Sequence, residues 1–202
     1  MSVHEPMTLA TDYLLCIVAS VFAARLWRPF RLWALAFLFT AAASLLGGTY
    51  HGFVHVLTPL AASALWKATV YSVGLASFFL LAGSGRALAV VAAIKLVVFA
   101  TWMITHDEFL WVIADYGTTL ILVGAVQLVA WIKRRAPSAR WVLGSILVSV
   151  IGAVVQQQEL ALHRHFNHND LYHVIQMVAL WLLYRGGALM TTATRPPTIR
   201  PM

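Results

Sequence analysis

The feature that most constrains this chain is the length and recurrence of its apolar runs. They follow one another from end to end, and several approach the ~20 residues an α-helix needs to cross a bilayer. Of the 202 residues only 10% are charged, against about 25% in a soluble domain. The sequence therefore predicts an all-α integral membrane protein. Pro, Gly and basic residues divide it into seven helices, over 8–26, 30–55, 60–83, 87–105, 107–132, 139–163 and 169–190. The expected organisation is one seven-helix transmembrane domain over 1–190 and a short cytoplasmic tail over 191–202. No basic region precedes the first run and no small-residue cleavage site follows it, so it reads as a retained helix rather than a signal peptide. Cys16 is the single cysteine, which excludes an intramolecular disulfide.

The basic residues set the orientation. Arg25, Arg28, Arg31, Arg86, Lys133, Arg134, Arg135, Arg140, Arg185, Arg195 and Arg200 fall at one set of helix ends, and only Arg164 falls at the other. Lys67 and Lys95 lie within spans. This pattern places the N-terminus outside and the C-terminus in the cytoplasm. It also explains the net charge of +7 as an orientation signal, with the lipid bilayer and not nucleic acid as partner. Trp27, Trp33, Trp131 and Trp141 fit an aromatic belt at the inner boundary.

All eight histidines and all seven acidic residues then fall in the outer half. The stretch HRHFNHNDLYH alone holds His163, His165, His168 and His173. Helical spacing sorts these residues by face. In the second helix Ser44, Gly47, Gly48, His51 and His55 form one stripe, and its glycines would admit a neighbouring helix. In the sixth, Gly152, Gln156, Glu159 and His163 align. In the seventh, His173 shares a face with Asn169 or Asp170 and with Gln176. Asn167 fits the capping position, with Asp170 in a box-like pattern, and His165 reads as loop. Asp12 and Cys16 lie a turn apart in the first helix. Asp115, Glu159 and Lys67 are placed to form one buried ionic cluster, since charges within spans pair with one another.

Two chemistries use such a set. A zinc site takes imidazole and carboxylate ligands and lowers the pKa of a bound water to about 7. His51 and His173 would be ligands from separate helices, with Asp170, His168 or Glu159 as third, and a remaining carboxylate, Glu159 or Asp115, would act as general base. The alternative is a non-enzymatic transporter or proton-linked receptor. It would use the intramembrane Lys, Asp and Glu residues as a charged pathway and the histidines as pH sensors. Bis-histidine haem ligation is a third possibility.

The seven-helix plan, the stripe ending in GGTYHGF and the string FNHNDLYHVIQ resemble the alkaline ceramidase and progestin/adiponectin-receptor superfamily, through an uncharacterised bacterial branch. The resemblance implies an intramembrane zinc-dependent hydrolase of a lipid amide or ester, in a bacterial inner membrane. Zinc would be held by His51, His173, Asp170 and His168, with Ser44, Glu159 and Asp115 as catalytic residues. The family's helix-2 serine position is held here by Gly47, with Ser44 a further turn away. The first of its two helix-7 histidines is Asn169.

Overall fold

The computed structural model describes residues 3–163 and 166–193, excepting the side chains of 191–193. Arg164, His165, Arg195, Arg200 and tail residues 194–202 lie outside the described residues. Within them the chain forms seven α-helices: α1 (Pro6–Leu26), α2 (Arg31–Phe53), α3 (Pro59–Ala82), α4 (Arg86–Trp102), α5 (Phe109–Arg134), α6 (Pro137–Gln157) and α7 (His168–Ala193). A single 3₁₀ turn, Val54–Val56, follows α2.

Local chemistry sets most of the helix ends. Proline opens α1, α3 and α6, where its missing N–H costs nothing. Thr58 caps α3 by accepting from the Ala61 amide at 3.3 Å. Lys133 and Arg134 occupy the last turn of α5, next to its negative dipole end. At α7, Asn167 Oδ1 accepts from the amides of Asn169 (2.8 Å) and Asp170 (3.2 Å), while Asp170 Oδ2 accepts from the Asn167 amide at 2.8 Å. This is a reciprocal capping box.

The end of α6 differs from expectation. The helix stops at Gln157, six residues before the predicted end at 163. Glu159 adopts a left-handed conformation (φ 52°), and the Leu160 amide bonds back to the Val155 carbonyl at 3.0 Å. That is a Schellman-type stop with glutamate where glycine is usual, so no glycine marks it in the sequence.

α1, α2, α3, α5, α6 and α7 close a ring, with α1 against both α2 and α7, and α6 against both α5 and α7. α4 stands outside, chiefly against α3. The apolar core fills the basic half of the ring, with Leu26, Trp33, Phe37, Leu80, Leu81, Val123 and Val142 buried. Trp33 is 0% exposed. It lies inside this core rather than in an interfacial belt, because Gly187 leaves room for its ring; a Cβ there would come within 2.9 Å of it.

The outer flanks carry exposed Ile17, Leu38, Val97, Val98, Ile121 and Leu147. Water would penalise that surface and hydrocarbon would not. Five helical segments, Pro6–Leu26, Arg31–Val56, Pro59–Ala82, Phe109–Arg134 and Pro137–Gln157, are long and apolar enough to cross a membrane. The protein is thus an all-α helical bundle with the make-up of a multi-spanning integral membrane protein.

Candidate functional site

The polar half of the ring is built on the close approach of α1 to α2. Gly48 and Gly52 make it possible. A Cβ at Gly48 would come within 2.7 Å of the Asp12 Cβ and 3.1 Å of the Tyr13 ring, and one at Gly52 within 3.0 Å of Leu9. The glycine stripe therefore receives α1 and delivers Asp12 to the bundle interior. Thr8, Thr11 and Asp12 lie at spacings of three and four, so they share a face of α1. All three are buried, as is His173 of α7, which Thr11 and Asp12 meet.

Thr11 Oγ1 lies 3.1 Å from the Thr8 carbonyl, to which it can donate, and 3.0 Å from His173 Nδ1, where either group can donate according to the imidazole tautomer. His173 Nε2 faces Asp12 Oδ1 at 3.3 Å. This is an ion-pair distance without hydrogen-bond alignment, so Asp12 and His173 form a buried carboxyl–imidazole pair, near enough for a proton to pass between them.

A second pair lies nearer the surface. His51 Nδ1 approaches Glu5 Oε2 at 3.1 Å, an ion-pair distance without hydrogen-bond alignment, since that oxygen has no hydrogen-bond partner among the described residues. Glu5 also lies 3.9 Å from His4 Nδ1, and the His4 and His55 rings meet edge-on at 4.1 Å. Side-chain exposure falls along this series from 44% at His4, through 30% at Glu5 and 27% at His51, to 10% at His173 and 7% at Asp12. The titratable groups thus descend from the rim toward the interior. Glu5 and Asp170 are the electrostatic neighbours of Asp12, and His51 that of His173.

Asp12, His173 and His51 border a central cavity of about 620 Å³. Its polar end is lined by Asp12, His51, His168, His173 and the glutamines 156–158, and its deeper wall by residues such as Leu15, Val73, Val112 and Leu120. Ser44 is buried and lines the same space.

The remaining sequence candidates fall elsewhere. Glu159 is exposed, past the end of α6. Lys67 pairs with Asp107 at 2.6 Å and donates to the carbonyls of Met103, Ile104 and His106, closing the C-terminal end of α4. Lys95 pairs with Asp115 and also reaches the Asp115 carbonyl at 2.9 Å. Lys67, Asp115 and Glu159 therefore form no common cluster; each lysine takes a nearer carboxylate. Asp170 is occupied as a cap through Oδ2, while its Oδ1 is buried with no hydrogen-bond partner among the described residues.

The zinc reading is overturned. Among the described residues no three His, Cys, Asp or Glu side chains are grouped to hold a metal ion. His51 and His173 face separate carboxylates instead of a shared point, His168 begins α7, and Asp170 caps it. With the ligand set goes the ceramidase-type hydrolase that depended on it. Helical spacing in the sequence assigns no role to Glu5, Thr8 or Thr11 and sets Asp12 only beside Cys16. The available signal was the buried-polar spacing Thr8, Thr11, Asp12 opposite a glycine stripe.

Residues 7–192 match the model of a family of unknown function (DUF6962). No curated protein and no solved structure matches the chain.

Proposed function

The chain belongs to the DUF6962 family of unknown function, which brings no activity with it, and we propose from its geometry that it is a non-enzymatic, proton-linked transporter or receptor. The observation that carries this reading is the Asp12–His173 pair, its members 3.3 Å apart and buried at the cavity wall. In this reading a proton enters by way of His4, Glu5 and His51 and loads the pair. Loading changes the charge of the cavity's polar end and so the affinity of the cavity for its ligand. Ionisable groups inside a membrane domain are costly, and proton relays of Asp, Glu and His are a recurrent use of them.

We propose further that all seven helices of residues 1–190 span the membrane as one domain, with the N-terminus outside and residues 191–202 in the cytoplasm. The separation of basic from acidic and histidine-bearing helix ends supports that orientation. A bacterial inner membrane fits it, and the kinship to the ceramidase and progestin/adiponectin-receptor superfamily is kept as a proposal about helix arrangement alone.

Proteoliposomes with an entrapped pH indicator test the function. An outward-facing acid pulse should give protein-dependent proton uptake if the protein carries protons through. Uptake confined to about one proton per chain, seen with the indicator outside, identifies a receptor. Both signals should vanish in Asp12→Asn. Proton uptake unchanged in Asp12→Asn and His173→Gln would refute the reading.

A further inference from the structure

The basic end of the bundle carries a second built feature, independent of the proton pair. Arg140 on α6 and Arg185 on α7 both stack on the Trp141 ring, at 5.5 and 4.9 Å from its centroid. Arg185 also lies 5.8 Å from the Trp181 ring, and the two indoles meet edge-on at 5.7 Å. Gly186 brings the helices together here; a Cβ on it would come within 2.5 Å of Val142. A cleft lined by Arg140, Trp141 and Leu182 opens beside the cluster.

Among the described residues neither arginine has a carboxylate partner. Of the seven Asp and Glu residues, Lys67 and Lys95 hold Asp107 and Asp115, α7 uses Asp170 as a cap, and Glu5 and Asp12 pair with histidines. Glu108 and Glu159 lie at the opposite helix ends. The buried Trp141 Nε1 likewise has no hydrogen-bond partner among the described residues. Elsewhere on this end arginine–indole contacts come singly, Arg31 on Trp27 and Arg135 on Trp131. Two guanidinium groups from different helices, held on one ring and short of an anion, make an anion site. Both arginines sit where polar helix ends give way to exposed apolar flanks, including Leu147 and Trp181. An anion with acyl chains satisfies both surfaces, and basic pockets between spanning helices are a known means of holding lipid headgroups.

We propose that the Arg140–Trp141–Trp181–Arg185 cluster binds the phosphate of an anionic phospholipid in the leaflet at the basic end. The test uses the full chain in phosphatidylcholine nanodiscs titrated with phosphatidylglycerol. The readouts are thermal stabilisation and the number of anionic lipids retained in native mass spectra. Removing one basic residue near the surface should weaken lipid binding about five-fold. Arg140→Gln and Arg185→Gln should each show that loss, and the double variant about thirty-fold, with retained lipid falling by one. Arg134→Gln removes the same charge from the same end away from the cluster and should change little. An equal loss in Arg134→Gln would show bulk surface charge and overturn the proposal. Equal stabilisation by inorganic phosphate would overturn it in favour of a free-anion site. Both arginines are exposed, so the variants fold; should one fail to, lipid counts on the other single variant still decide.

Discussion

His173 is the residue whose surroundings carry most of the chemistry. Thr11 meets one of its ring nitrogens and Asp12 the other. Removing one member of such a pair leaves the other buried without its polar partner, which costs about 1–3 kcal/mol. His173→Ala should therefore lower stability by an amount of that order, measured by reversible unfolding in mixed micelles. The double variant Asp12→Asn/His173→Gln keeps a polar pair of similar size with no proton to share. It should recover most of that loss while remaining unable to take up a proton. His51→Ala should be milder, since its pair with Glu5 is partly exposed and screened.

At the scale of elements, helix contacts follow glycine. Gly48→Ala places a methyl group against the Asp12 Cβ and should destabilise by about 1–3 kcal/mol, the usual range for overpacking. Gly117→Ala is the control: nothing lies within 4 Å of the added Cβ, and alanine favours the helix by up to about 1 kcal/mol. Thermal denaturation of the two variants should move in opposite directions. Lys67→Gln should free the carbonyls that end α4 and raise amide hydrogen exchange near Met103 to His106, leaving α1 and α7 unchanged. These elements were largely legible in the sequence. Proline, the Asn167 cap and the basic run after residue 132 are local signals, and the helix ends they mark fall within two residues of the expected ones. The end of α6 was not legible, because a left-handed glutamate carries no local mark. That displaced Glu159 from the interior to the surface. The ionic cluster assigned to Lys67, Asp115 and Glu159 failed for a related reason: spacing along one helix gives a face, but not which neighbour that face meets. His51 and His173 were placed in the same half of the bundle. Their carboxylate partners are Glu5, just before α1, and Asp12 within it, and helical spacing on α2 and α7 alone points to neither.

At the scale of the whole molecule, the bundle divides by function of its two halves. The basic half is filled by large apolar side chains around Trp33, and the half bearing the acids and histidines holds the cavity and both histidine–carboxylate pairs. The proposed orientation puts that second half outside. In a Cys16→Ala background, Thr105→Cys and Leu160→Cys should react with an impermeant maleimide added to intact cells, and Ser84→Cys and Ala136→Cys only after lysis. In the proposed function Asp12 and His173 share a proton and exchange it with the outside. Infrared difference spectra of the protein in liposomes, taken between about pH 4 and pH 9 to span ordinary carboxyl and imidazole titration, test it most directly. The account predicts a carboxyl band and an imidazole band that change together, and both changes should be absent in Asp12→Asn. Wild-type and Asp12→Asn spectra that coincide would contradict it.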